Sequence, residues 1–373
     1  MNEFDVELID IEKSYGGQRI VDRLSLKVRK GEFFSLLGPS GCGKSTTLKI
    51  ISGLETQDAG TVRIAGRAVD GTPIHKRPTN LVFQKLGLFP HLNVFDNVAF
   101  GLRVKKMDAT AVRRKVADML EMVDLASFAQ HPVTALSGGQ QQRVAIARAV
   151  ANEPSVLLLD EPLGALDLKL QQRLQQELKA LQRRVGITFV YVTHNQAEAL
   201  AMSDRVAVMQ GGRFEQIAPP AELYGAPTTT FVASFVGDTN LLDVEVNDTG
   251  AQLHNLGRTV SVRAMGMEFP VMVPQGLSVS RRLPVSLRPE RIRIGSAQAG
   301  DGSPTRASAT VEDAILLGAT IAYHLRMPDG SLLRAAELER GKVYARGEKI
   351  SVEWDTDAPI ALQETSRAGG ARR

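Results

Sequence analysis

The chain reads as two joined folds: an α/β domain with a largely parallel sheet, then a small all-β domain. Three observations predict this. Over the first two thirds, apolar runs of strand length alternate with segments of helical period. Past about Gly237 the apolar runs shorten, alternate, and are cut by Gly, Pro and Asp. Finally, 373 residues are too many for one ordinary domain and comfortable for two.

The elements follow in order. Residues 31–37 form a buried strand that ends in a Gly/Pro/Ser turn, and residues 44–51 form the helix after it. Asp108 caps a helix whose apolar positions Val112, Val116, Met119, Leu120 and Val123 recur at three and four. Ser137 caps another, running through Val144, Ala147 and Ala151 to a stop before Pro154. Residues 155–159 and 187–192 are continuous apolar runs, as expected of central strands covered on both faces. In the second domain, residues 285–288, 291–294 and 349–354 are short alternating strands. A mobile loop is expected from Ser296 to Pro304, and a disordered tail from Ser366 to Arg373. The composition shift puts the domain boundary near 238, giving domains 1–238 and 239–373.

Composition excludes several classes. Lys plus Arg is 45 against 41 for Asp plus Glu, a net charge of +4 that is too small over this length to mark a nucleic-acid binder. The single cysteine, Cys42, rules out an internal disulfide framework and suits a reducing compartment. No stretch approaches the ~20 apolar residues of a membrane helix, and the acidic N-terminus has no export-signal pattern.

Gly38, Pro39, Ser40, Gly41, Cys42, Gly43, Lys44 and Ser45 fit the phosphate-loop pattern G-x-x-x-x-G-K-[ST], with Thr46 following in the helix. The glycines let the backbone close round phosphates, and successive N–H groups at the helix start point at the anion. Lys44 reaches the β- and γ-phosphates, and the Ser45 hydroxyl suits Mg²⁺. A chance Gly-rich turn would not sit between a strand and a helix. Cys42 reads as a small residue filling a tight turn. Its position predicts that alkylation blocks nucleotide binding and that ATP protects the thiol.

Asp160 and Glu161 follow a buried strand, on the edge where open parallel sheets bind ligands. Alone they would be an acidic turn. With the phosphate loop upstream, Asp160 suits Mg²⁺ and Glu161 suits orienting and polarising the attacking water. His194 ends the next buried strand, where it can contact the γ-phosphate. Gln84 ends another candidate strand; a Mg²⁺ or water ligand and a solvent-facing side chain are both open readings for it.

Leu136, Ser137, Gly138, Gly139 and Gln140, with Gln141, Gln142 and Arg143 after them, complete a set that resembles the ATP-binding-cassette (ABC) family. The phosphate loop, Gln84, this signature, Asp160–Glu161, the run from Gly164 to Asp167, and His194 come in the family's order and spacing. The resemblance implies a P-loop NTPase fold, a RecA-like core with a helical subdomain at about 86–152. It implies ATP and Mg²⁺ as ligands, and a dimer in which Ser137, Gly138, Gly139 and Gln140 cover the γ-phosphate held by a second copy, with Asp167 in the seam. Tyr15 matches the aromatic that stacks on adenine; by itself it could equally be a surface tyrosine. Residues 285–294, with Arg288, Pro289 and Glu290, resemble the motif of the OB-like TOBE domain, which accompanies importer cassettes.

Among those, the chain is similar to spermidine/putrescine importer ATPases in residues 94–102, 164–170, 186–194 and 231–242. That implies two transmembrane permease subunits, indirectly a periplasmic solute-binding protein, no nucleic acid, and a place at the cytoplasmic face of the inner membrane. The same role in a sugar, glycerol-phosphate or iron importer is the alternative, and a soluble non-transport ABC ATPase a more distant one. The chain departs from the family pattern in two places. Asn195 follows His194 where Asp is usual, and Lys85, Leu86 and Gly87 stand where importers often carry an aromatic and alanine.

Overall fold

The computed structural model describes residues 3–163, 168–247, 252–254, 257–296, 304–339 and 342–365. The run from Gly164 to Asp167, most of the Ser296–Pro304 loop and the tail from Ser366 lie outside the described residues. The contacts divide the chain into two compact units, 1–220 and 221–373.

The first unit begins with strands β1 (Phe4–Tyr15), β2 (Gln18–Arg29) and β3 (Phe33–Leu37), then helix α1 (Lys44–Ser52). Strands β4 (Ala59–Ile64), β5 (Arg67–Ala68) and β6 (Thr79–Val82) follow, then helices α2 (Val94–Val104), α3 (Ala109–Met122) and α4 (Gly138–Val150). Next come β7 (Val156–Asp160), α5 (Leu168–Val185), β8 (Thr188–Thr193), α6 (Gln196–Met202), β9 (Arg205–Gln210) and β10 (Arg213–Ala218). A six-stranded sheet has the order β10-β9-β3-β8-β7-β6, parallel except for β10. Its strands β3 and β8 are buried along their whole length, as the continuous apolar runs require.

The largely parallel sheet is as expected, and what lies beside it is not anticipated by the sequence. A second, antiparallel sheet, β2-β1-β4-β5, carries the N-terminal residues. Its inward face (Val6, Leu8, Leu26, Val28, Val62, Ile64) packs with α1 in a core shared with the parallel sheet. Helices α2, α3 and α4 enclose the other large cluster, built on Val98, Val116, Leu120, Val144 and Ala147. Asp108 caps α3 through Thr110 N–H at 2.8 Å and Ala111 N–H at 3.1 Å, and Val112, Val116 and Leu120 are its buried face. No helix among the described residues is long and apolar enough to cross a membrane.

The second unit opens on helices α7 (Pro220–Gly225) and α8 (Thr230–Phe235). Strands β11 (Asn240–Val246), β12 (Gln252–His254), β13 (Gly257–Ala264), β14 (Met267–Pro274), β15 (Arg282–Leu287), β16 (Ile292–Ser296), β17 (Arg306–Leu316), β18 (Thr320–Arg326), β19 (Leu332–Leu338), β20 (Lys349–Trp354) and β21 (Ile360–Ala361) follow. They form sheets β11-β15-β21-β14-β13-β12 and β16-β20-β17-β18-β19. Both enclose one core in which Trp354 meets Phe269 edge-on at 5.5 Å.

The contacts draw residues 221–238 into this unit, although their composition resembles what precedes them. Beside the Thr229–Gln363 bridge, one link is Arg288. Its buried guanidinium donates to the carbonyls of Tyr224 (3.0 Å), Ala233 (3.0 Å) and Asp238 (2.9 Å), and lies 4.3 Å from the Tyr224 ring.

Candidate functional site

Pairing in the parallel sheet brings the predicted residues to one edge. Leu37 is opposite Thr193, Val192 is opposite Asp160, and Val82 is opposite Leu159. The chain leaves all four strands there. The phosphate loop therefore follows β3 directly, Asp160 ends β7 with Glu161 next, His194 follows β8, and Gln84 is the second residue beyond β6, all at the carboxyl ends.

The loop is closely backed. A Cβ on Gly38 would meet the Met209 carbonyl oxygen at 2.4 Å and Cys42 Sγ at 2.7 Å; one on Gly43 would meet the Ile20 carbonyl oxygen at 2.7 Å. Gly43 also has φ near 105°, a conformation that only glycine takes without strain. It turns the chain into α1 with no side chain capping the helix. The first-turn N–H groups of α1 are thus left for an anion. Lys44 is buried, and its Nζ donates to the carbonyls of Gly38 (2.8 Å) and Pro39 (2.9 Å), holding the ammonium inside the loop. Pro39, Ser40 and Gly41 form the outer rim; Ser45 and Thr46 are half-buried on the first turn.

Cys42 is 4 % exposed and packs inward, and burial pushes its thiol up despite the nearby Lys44. The alkylation expected from its position thus meets a scarce thiolate behind the loop, and filling space is what its geometry supports.

Ser45 Oγ donates to Asp160 Oδ1 at 3.2 Å, so a hydroxyl and a carboxylate share one corner. Burial raises the Asp160 carboxyl above its usual range; Ser45 lowers it, and the charge of Glu161 raises it further. Two hard oxygen donors, one of them a desolvated carboxylate beside a second carboxylate, fit a cation such as Mg²⁺. That ion takes few protein ligands and keeps waters and phosphate oxygens. No group of three or more His, Cys, Asp or Glu suited to a metal occurs among the described residues.

Glu161 has φ of 45°, the left-handed region, at a cost on the order of 1–2 kcal/mol. Its N–H is fixed by the Val192 carbonyl at 3.0 Å, and its Oε1 lies 3.1 Å from His194 Nδ1. Backbone strain of this kind persists only where the surrounding structure enforces it.

Gln84 is exposed in the turn after β6. The Leu86 and Gly87 carbonyls of that turn accept from the Arg148 guanidinium at 3.0 and 2.7 Å, which ties it to α4. Tyr15 ends β1 and is 45 % exposed, its hydroxyl donating to Glu55 at 2.7 Å. Ser137 caps α4 in a reciprocal box: Gln140 N–H donates to its Oγ at 3.3 Å, and its N–H donates to Gln140 Oε1 at 2.9 Å. Ser137 and Gly138 are exposed, while Gly139 is buried. Among the described residues, no hydrogen bond joins this signature to the phosphate loop. Asp167 lies outside the described residues. Asn195, the departure beside His194, caps α6 through Ala197 N–H at 2.9 Å, a task that Asn performs as well as Asp.

Sequence reasoning misses the backing residues Ile20 and Met209. They are ordinary apolar strand residues whose contact with the loop exists only after folding.

Comparison with known proteins supplies the rest. The family described as ABC transporter matches residues 21–164, and the TOBE domain family matches residues 285–362. The spermidine/putrescine import ATP-binding protein PotA of Rubrobacter xylanophilus is 48% identical, over 94% of this chain and 91% of that protein. Its counterpart in Thermobifida fusca is also 48% identical, over 96% and 93%. Among solved structures, cbiO1 from Clostridium perfringens, part of the ABC transporter complex cbiONQ, covers 60% of this chain and 91% of its own at 28% identity, with a TM-score of 0.57. The ATP-binding cassette MJ0796, in a dimeric post-hydrolysis state bound to ADP and Pi, covers 58% of this chain and 98% of its own at 35% identity, with a TM-score of 0.51. The chain belongs to the ABC transporter family, as an ATP-hydrolysing subunit with a C-terminal TOBE domain.

Proposed function

We propose that the chain powers a binding-protein-dependent polyamine importer, by binding MgATP at the edge just described, closing on a second copy, and hydrolysing ATP to reopen. The observation that carries the nucleotide part is the uncapped start of α1 behind a glycine loop that encloses Lys44. The polyamine part rests on relatives named for spermidine and putrescine import that match over nearly the whole chain.

In this reading the α1 amides and Lys44 bind and orient the phosphates. Ser45 and Asp160 hold Mg²⁺, with Gln84 as a further ligand to the ion or to the water. Held there by Ser45 and Asp160, Mg²⁺ would supply positive charge to offset that of the phosphates. Glu161 orients the attacking water and accepts its proton, and its contact with His194 couples that carboxylate to a group aimed at the γ-phosphate. Tyr15 stacks on adenine. The exposed Ser137 and Gly138, with Gly139, Gln140 and Asp167, complete the site of the other copy. Residues 1–238 act as the nucleotide-binding domain. Two separate permease subunits and a periplasmic solute-binding protein supply the membrane path and the cargo, with this chain at the cytoplasmic face of the inner membrane and no nucleic acid involved.

The cargo is tested by reconstituting the chain with its permease subunits in vesicles and adding loaded binding proteins. ATPase stimulation by a spermidine- or putrescine-loaded binding protein is expected. Stimulation only by a sugar-, glycerol-phosphate- or iron-loaded protein overturns polyamine as the cargo.

A further inference from the structure

We propose that Glu198 is a positioning residue for hydrolysis: its buried carboxylate fixes the chain on both sides of His194 and ties it to α5. Glu198 is 2 % exposed, on α6 behind the catalytic edge. Its Oε2 accepts from Tyr191 Oη at 2.6 Å and from Thr193 Oγ1 at 2.7 Å. Its Oε1 accepts from Gln171 Nε2 on α5. Thr193 Oγ1 in turn accepts from Asn195 N–H at 2.9 Å. The residues before and after His194 therefore hang on one carboxylate, directly and through one hydroxyl. Gln171 extends the same network to α5, the helix that starts directly after the run from Gly164 to Asp167.

The chemistry is unusual for a residue that only fills space. Burying a carboxylate costs several kcal/mol unless it is fully hydrogen-bonded, and an apolar side chain would pack there at less cost. Here three neutral donors meet it. Burial and the Glu198 charge both hold the Tyr191 phenol well above its ordinary value, so it stays a donor. His194 needs such support: its side chain is 57% exposed at a strand end, with Glu161 Oε1 3.1 Å from its Nδ1. A small displacement of a reacting group is costly to rate and nearly invisible to binding.

The inference rests on the reading that His194 and Glu161 act on the γ-phosphate and the water. The test uses the full chain, with steady-state ATPase for kcat and nucleotide displacement for the ATP Kd. Glu198→Ala is expected to lower kcat about tenfold or more, with Kd unchanged within about twofold. Glu198→Gln keeps acceptors for Tyr191 and Thr193 and is expected to recover most of that loss. Thr193→Val removes the bonds to Glu198 and from Asn195 N–H but leaves Glu198 with Tyr191 and Gln171, and should fall between the two.

A kcat within about twofold of wild type in both Glu198→Ala and Thr193→Val, while His194→Ala abolishes turnover, overturns the inference alone. So does equal damage by Glu198→Ala and Glu198→Gln, or loss of ATP binding in parallel with kcat. Should Glu198→Ala not fold, Thr193→Val decides by the same criterion. Wild-type turnover in His194→Ala instead removes the role of His194 itself, and the positioning role with it.

Discussion

The starts of α1 and α4 offer the same chemistry, glycine-flanked helix N-termini with amides aimed outward, and they are finished differently. At α1 the glycines are pinned by Met209 and Ile20, and Lys44 is buried against the loop carbonyls. At α4, Ser137 and Gln140 satisfy each other, and Ser137 and Gly138 face solvent. In the proposed reading, the first is a complete anion site within one chain. The second is a pre-formed, capped surface that, in the same reading, meets its ligand on another copy. The difference teaches that exposure can be part of a site's design when the ligand arrives on another molecule.

Two substitutions should break the comparison where it is sharpest. Lys44→Ala removes the ammonium held inside the loop and should cost about 10²–10³-fold in turnover, with ATP binding by the monomer lost as well. Ser137→Ala should cost turnover about 10–100-fold, the worth of one hydrogen bond to a charged group, while ATP binding by the monomer persists. Titration of ATP into each dilute variant, beside its ATPase rate, separates the two. Equal loss of monomer binding in both would mean that the second site is not a half-site.

A smaller effect sharpens the contrast within the first site. Because the Asp160 carboxyl is raised in the folded chain, stability falls as pH rises from the unfolded carboxylate range, about 4, through the raised folded value. It stays lower above that window. Asp160→Asn should therefore raise Tm at neutral pH and leave it unchanged below about pH 4, while turnover is lost. A lower Tm at neutral pH would show that the carboxylate is stabilising and that the Ser45 bond outweighs burial.

Part of this site is legible in the sequence, because Gly38, Asp160 and His194 each end or follow an apolar run of strand length. The register of β6, β7, β8 and β3 then does what such runs imply and aligns Gln84, Asp160–Glu161, His194 and Gly38. The antiparallel sheet is not legible. The alternation of β1 is broken by register shifts near Ile11 and Lys13, so its two-residue period is never sustained. Helix α5 is hidden by its run of glutamines, which gives a low mean hydropathy although Leu174, Leu178 and Leu181 form its buried stripe. Glu198 looks like a solvated helix residue, and only the fold turns it inward. The link through Arg288 is local in neither sequence nor composition, so the composition boundary near 238 and the contact division after Pro220 differ.

The central claim, that each chain carries one complete site and one exposed half, is tested most directly with Glu161→Gln. That change removes the proton acceptor and keeps the shape of the site. Light scattering of this variant, full length, is measured with and without saturating MgATP. The account predicts a monomer without nucleotide and a stable dimer with it, holding two ATP and showing no turnover. A monomer at saturating MgATP, or wild-type turnover, would contradict it.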